Sequence, residues 1–202
     1  MVKLVNQTDF VRKMRDKRLS LFSRRDVQAL FGVSPSATTM LLHRYSKRGF
    51  ILRVKRGIYA LEGALPPELY IANQLYNPSY ISREFALSYH RVIPENVYEI
   101  TCITTRATQK FERFGKVYSY RHIMPKAFTG YVIEKQRDFT FRMADPEKAF
   151  VDTLYYRVLF GKKPLSRFNK ERINPKKALR YAKLFGNRKL VAILRSTLSI
   201  HD

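Results

Sequence analysis

The chain has 202 residues, 45% of them hydrophobic and 13% aromatic, enough to bury a core, which excludes a disordered polycation. Lys and Arg number 39 against 16 Asp and Glu, and the net charge of +23 points to a polyanionic partner, nucleic acid before an anionic membrane. No apolar run of about 20 residues and no basic amphipathic tail supports a membrane partner, and Cys102 as the only cysteine excludes an intrachain disulfide.

The charge is uneven: residues 1–61 carry +11, residues 62–156 carry +1 and residues 157–202 carry +11. Each Lys or Arg that meets a phosphate releases counterions, so two basic ends flank a neutral middle and suit a salt-sensitive nucleic-acid contact. The opening stretch MVKLVNQTDFVRKMRDKR lacks the apolar core of a signal peptide, and a cytoplasmic location is expected.

In chain order, residues 8–17 read as a helix with Thr8 as its cap and Phe10, Val11 and Met14 facing inward. Ser23-Arg24-Arg25-Asp26 opens a second helix with capping-box spacing, Asp26 replacing the usual Glu or Gln. Val27, Leu30 and Phe31 give that helix an apolar face, and Gly32 supplies the turn after it. Ser34 caps a third helix with Pro35 at its first position, and Gly49 ends it. On it, Ala37, Leu41 and Tyr45, with Met40 beside them, are expected to face inward, with Ser36, Thr39, His43 and Lys47 opposite and Thr38 and Arg44 flanking. Residues 50–54 and 58–61 read as a hairpin turning at Lys55-Arg56-Gly57.

Helix, glycine turn, helix and basic hairpin is the layout of a winged helix-turn-helix. A major groove about 12 Å wide admits one helix, and small polar side chains let such a helix approach base edges closely. The residues expected on DNA are Arg24, Arg25, Ser34, Ser36, Thr38, Thr39, His43, Arg44, Lys47, Arg53, Lys55 and Arg56. Of these, Ser36, Thr38, Thr39, His43 and Lys47 would meet base edges or nearby phosphates. The wing cations Arg53, Lys55 and Arg56, with Arg24, Arg25 and Arg44, would hold the backbone.

Residues 62–67, EGALPP, read as a linker between a DNA-binding domain at 1–61 and an α+β domain at 68–202. Residues 68–76 read as a helix, 79–81 as a strand and the residues after Ser82 as a helix ending before Pro94. Strand patterns follow at 97–105, in a hairpin at 111–120 turning at Gly115, and at 130–134 and 139–143. Asp145 then caps a core helix with Pro146 at its start that ends at Gly161, and Asn174-Pro175 repeats the same start. Gly186 stops that helix before a final amphipathic one. A second basic face is expected from Arg167, Lys170, Arg172, Lys176, Lys177, Arg180, Lys183, Arg188 and Lys189.

In layout the chain resembles the AbiEi-type antitoxins of bacterial type IV toxin–antitoxin systems. The segment SRRDVQALFGVSPSATTMLLHRYSKRGFILRVKRGIYAL is similar to that family's winged-helix domain. PSYISREFALSYHRVIPE, TCITTRATQKFERFGKVYSYRHI and MADPEKAFVDTLYY are similar in kind and order to its C-terminal domain. Relatives are expected to carry glycine where this chain has Arg91. The resemblance implies a repressor that binds inverted repeats in its own promoter. It also implies a C-terminal antitoxin domain and a genetically linked nucleotidyltransferase-like toxin neutralised without a stable complex.

Catalytic patterns are weak. His43, His90, His122 and His201 are scattered, and one cysteine cannot complete a thiolate zinc site, so no metal or cofactor is expected. His90, after an apolar helix face, is expected to be a hydrogen-bonded structural residue. Asp145, Glu147, Lys148 and Asp152 could be mistaken for nuclease carboxylates, yet helix capping already accounts for the first two. Ser88 near His90 lacks a nucleophile elbow. The competing readings are an RNA-binding protein acting through the basic C-terminal helices, and a nuclease; no enzymatic activity is expected.

Overall fold

The structure is a computed structural model and describes residues 5–200, so His201 lies outside the described residues. The fold is α+β, as the sequence predicts. The chain divides into two compact units, Met1–Ile71 and Ala72–Asp202.

The first unit runs α1 (Gln7–Asp16), β1 (Phe22–Ser23), α2 (Arg24–Phe31), α3 (Pro35–Lys47), β2 (Ile51–Lys55) and β3 (Ile58–Leu61). Phe10 stands at the centre of its core, stacked on Phe31 at 5.3 Å between ring centroids and meeting Phe22 and Tyr45 edge-on at 5.7 and 5.2 Å. Met14, Val27, Leu41, Leu42, Ile51 and Leu61 close around these rings. The cap of α1 is Asn6, whose side chain accepts from the Thr8 N–H, and not Thr8 as expected. The N-cap rules allow Thr and Asn alike, and two adjacent candidates are separated only by backbone geometry.

The three strands lie in the order β1-β3-β2. The sequence reading missed β1, because two residues have no periodicity; it exists only through the pairing of Phe22 with Tyr59 and Ser23 with Ile58. That pairing ties the hairpin to the start of α2.

The second unit builds a six-stranded sheet in the order β6-β7-β5-β4-β9-β8. Its strands are β4 (Ser79–Ile81), β5 (Ile100–Thr104), β6 (Gln109–Arg113), β7 (Lys116–His122), β8 (Tyr131–Gln136) and β9 (Phe139–Ala144). The pairs β4–β9 and β5–β7 are parallel and the others antiparallel. The helices are α4 (Glu68–Leu75), which crosses the division, α5 (Arg83–Tyr89), α6 (Pro146–Leu159), α7 (Pro175–Lys183) and α8 (Arg188–Leu198). Helix α6 packs against α5, α7, α8 and β9.

Because α6 is enclosed, its polar residues are buried too. Lys148 and Asp152, one turn apart, form an ion pair with both side chains fully buried. Asp152 also accepts from the hydroxyls of Tyr80 at 3.0 Å and Ser82 at 2.7 Å. Ser82, at the N-cap of α5, makes no side-chain cap bond because its hydroxyl is spent here. Gly130 permits this packing: at φ +76° a Cβ there would lie 2.7 Å from Tyr181 Cζ and 2.9 Å from Lys148 Cβ.

A second ionic cluster fastens α7 to the start of α6. Lys177 Nζ lies 3.1 Å from Asp145 and 2.9 Å from Glu147, the Tyr181 hydroxyl donates to Asp145 at 2.7 Å, and the Asn174 N–H donates to Glu147 at 3.0 Å. Burial alone would raise the Glu147 carboxyl, but the Asn174 N–H and Lys177 outweigh it and hold the carboxyl below its ordinary value. A carboxylate whose folded value is lowered contributes stability that is present above its unfolded value, about 4.3. That contribution is lost as pH falls through the folded value. Urea midpoints are therefore expected to fall as pH drops below about 4.3, with Glu147→Gln flattening that decline and lowering the midpoint at neutral pH.

Helix α5 ends in a Schellman motif, with the Val92 N–H on Leu87 O at 2.8 Å and the Arg91 N–H on Ser88 O at 2.9 Å. Arg91 itself has φ +56°, the position at which relatives are expected to carry glycine. A side chain there costs energy that glycine avoids, so Arg91→Gly is expected to raise stability by about 0.5–1 kcal/mol in urea denaturation. His90, as expected, is tied into the fold, its Nε2 lying 2.8 Å from Ala144 O.

Candidate nucleic-acid interface

The second and third helices meet at a sharp turn. Ser23 and Asp26 form a complete capping box on α2, and Gly32 at φ +62° ends that helix. Ser34 then caps α3 through the Ala37 N–H at 3.3 Å. The far end of α3 closes with Gly49 in the left-handed conformation and the Phe50 N–H on Tyr45 O. Leu41, Leu42 and Tyr45 face the core, leaving the opposite side of α3 in solvent.

Ser36, Thr39, His43, Arg44 and Lys47 lie on that open side and are exposed, as is Ser34. No acidic residue occurs on α3. Thr38 is a correction: it is completely buried, and its hydroxyl donates to Ser34 O at 2.8 Å. At 100° per residue Thr38 falls between Leu41 and Leu42, inside the buried arc. Met40 is the opposite correction, being 73% exposed on the open face and not among the core residues. The same helical step carries its signal, since it lies one turn after Ser36. Arg48, exposed at the C-cap of α3, was also missed.

Arg24 and Arg25 are exposed in the first turn of α2, where the helix dipole disfavours cations. Two cations in that position gain nothing from the helix dipole. In the hairpin, Gly57 at φ +79° makes the turn, Arg53 and Arg56 are exposed and Lys55 is half-buried. The register slips between Arg53 and Lys55, with Val54 fully buried, and such a bulge re-aims the side chains after it.

In the second unit, Lys177 leaves the expected basic face, being committed to Asp145 and Glu147. Arg172 is exposed but donates to His90 O at 3.4 Å. Arg167, Lys170, Lys176, Arg180, Lys183, Arg188 and Lys189 are exposed. Lys183 and Arg188 share a groove of about 430 Å³ with Val191, Ala192 and Arg195, which the sequence reading did not single out.

The carboxylates Asp145, Glu147 and Asp152 are held by protein donors. Among the described residues no group of three His, Cys, Asp or Glu side chains is placed to hold a metal ion. Among the described residues no helix is long and apolar enough to cross a membrane.

The first unit thus places two helices joined by a glycine turn ahead of a basic hairpin, in the order α1, β1, α2, α3, β2, β3. Residues 9–61 match the family model described as transcriptional regulator, AbiEi antitoxin. The match ends on the last residue of β3, and over these residues it bears out the resemblance read from the sequence. No curated protein matches the chain.

Proposed function

We propose that the protein is a sequence-specific, DNA-binding transcriptional repressor and the antitoxin of a type IV toxin–antitoxin system. It binds inverted repeats in its own promoter. Helix α3 enters the major groove with Ser36, Thr39, His43 and Lys47 toward the bases, while Arg24, Arg25, Arg44, Arg53, Lys55 and Arg56 meet phosphates. Ser34 acts mainly as the helix cap. The observation that carries this reading is the open side of α3, largely polar and free of acid, beside a cationic hairpin. The match of residues 9–61 to AbiEi antitoxin regulators supports it.

The exposed cations of α7 and α8 form a second nucleic-acid face. The partner toxin is a nucleotidyltransferase-like protein encoded beside this gene and neutralised without a stable complex. The work is cytoplasmic and needs no cofactor or catalysis by this chain.

The test is a mobility-shift titration of the full chain against duplex DNA from upstream of its own operon, with transfer RNA as competitor. Retarded duplex that resists the competitor, with an affinity falling linearly in logarithmic salt, is expected. Displacement by transfer RNA at equal nucleotide concentration would favour an RNA-binding protein instead.

A further inference from the structure

The open face of α3 contains one residue that its polar neighbours do not explain. Met40 is 73% exposed, whereas the apolar residues around it in sequence, Leu41 and Leu42, are buried at 6% and 3%. At 100° per residue Ser36, Met40, His43 and Lys47 fall within a sector of about 60°, spread along about 16 Å of helix axis. Met40 lies at one edge of that sector and near the middle of its length, with the exposed Arg44 beyond it. It is the sixth residue of α3, within the N-terminal half that a recognition helix presents to bases.

An exposed methionine adds nothing to the core, and at 73% exposure most of its side chain meets solvent. The edges of the base pairs offer it an apolar contact. In the major groove the single apolar group is the C5-methyl of thymine, and all other features there are donors or acceptors. Methionine, unbranched and polarizable, adapts to such a contact without an imposed geometry. We propose that Met40 reads a thymine methyl in the major groove, making this protein's site depend on a thymine that no hydrogen bond specifies. The inference rests on the DNA-binding reading above and names a specificity residue within it.

The experiment uses the full chain. Sites are selected from a random duplex pool, and the selected duplex is remade with each thymidine in turn replaced by deoxyuridine, which keeps every hydrogen bond and lacks only the methyl. One replacement is expected to weaken wild-type binding about fourfold, the worth of one buried methyl group. Met40→Ala is expected to bind the thymidine duplex about fourfold more weakly and to be indifferent to deoxyuridine at that position, with unchanged thermal unfolding. Wild type that is indifferent to deoxyuridine at every position overturns the inference and leaves the DNA-binding reading standing. Met40→Ala that keeps the wild-type sensitivity overturns it as well. A full chain that enriches no sequence from the pool overturns the DNA-binding reading and the inference with it.

Discussion

Asp152→Ala is expected to destabilise the second unit by about 3–5 kcal/mol, because it leaves the fully buried Lys148 without its counter-charge. Native domains are stable by about 5–15 kcal/mol in all, so the variant should be largely unfolded under mild denaturant. The pair is nonetheless no large asset to the fold. Burial pushes the Asp152 carboxyl up, against the opposing pull of Lys148, Ser82 and Tyr80. A carboxylate whose folded value exceeds its unfolded one weighs against folding at neutral pH, and that burden lightens as pH falls. The double variant Lys148→Met with Asp152→Asn is therefore expected to lose much less than Asp152→Ala, since it removes the charge at each position and keeps an acceptor for Tyr80 and Ser82. Urea denaturation of wild type, Asp152→Ala and the double variant measures this. A loss below about 1 kcal/mol for the single variant would show that Lys148 does not need its partner.

Reversing the charge of Arg53 and Arg56 should produce the largest functional effect short of altering α3. Both are exposed, so neither contributes to the core and unfolding should be unaffected. Each phosphate contact contributes about 0.9 to the slope of log affinity against log salt, so the double variant to Glu should lower that slope by about two. At physiological salt the loss is on the order of 30-fold for any duplex, specific or not, because phosphates carry no sequence information. Anisotropy titrations at several salt concentrations read both quantities. An unchanged slope would remove the hairpin from the interface.

Much of this was legible in the chain because local chemistry agreed with tertiary structure. Ser23, Asp26, Ser34, Pro35, Asp145 and Asn174 act where capping rules put them. The misses share a cause. β1 is two residues long and owes its existence to β3. Thr38 and Met40 changed places because polarity was weighed above angle: a threonine can bury by bonding back to Ser34 O, and a methionine can stand in solvent. Lys177 was read as surface because nothing in the local sequence shows that α7 lies across the start of α6. The burial of the carboxylates was likewise invisible, since nothing in the local sequence shows that four elements pack against α6.

The central claim is that the open side of α3 lies in the major groove of duplex DNA. Guanine N7 is exposed only there, so the most direct measurement is methylation interference on a selected duplex bound by the full chain. Interference confined to guanines within one or two major-groove segments, and relieved at some of them in His43→Ala or Lys47→Ala, is the predicted result. Binding that is indifferent to N7 methylation at every guanine of a guanine-containing site would contradict it.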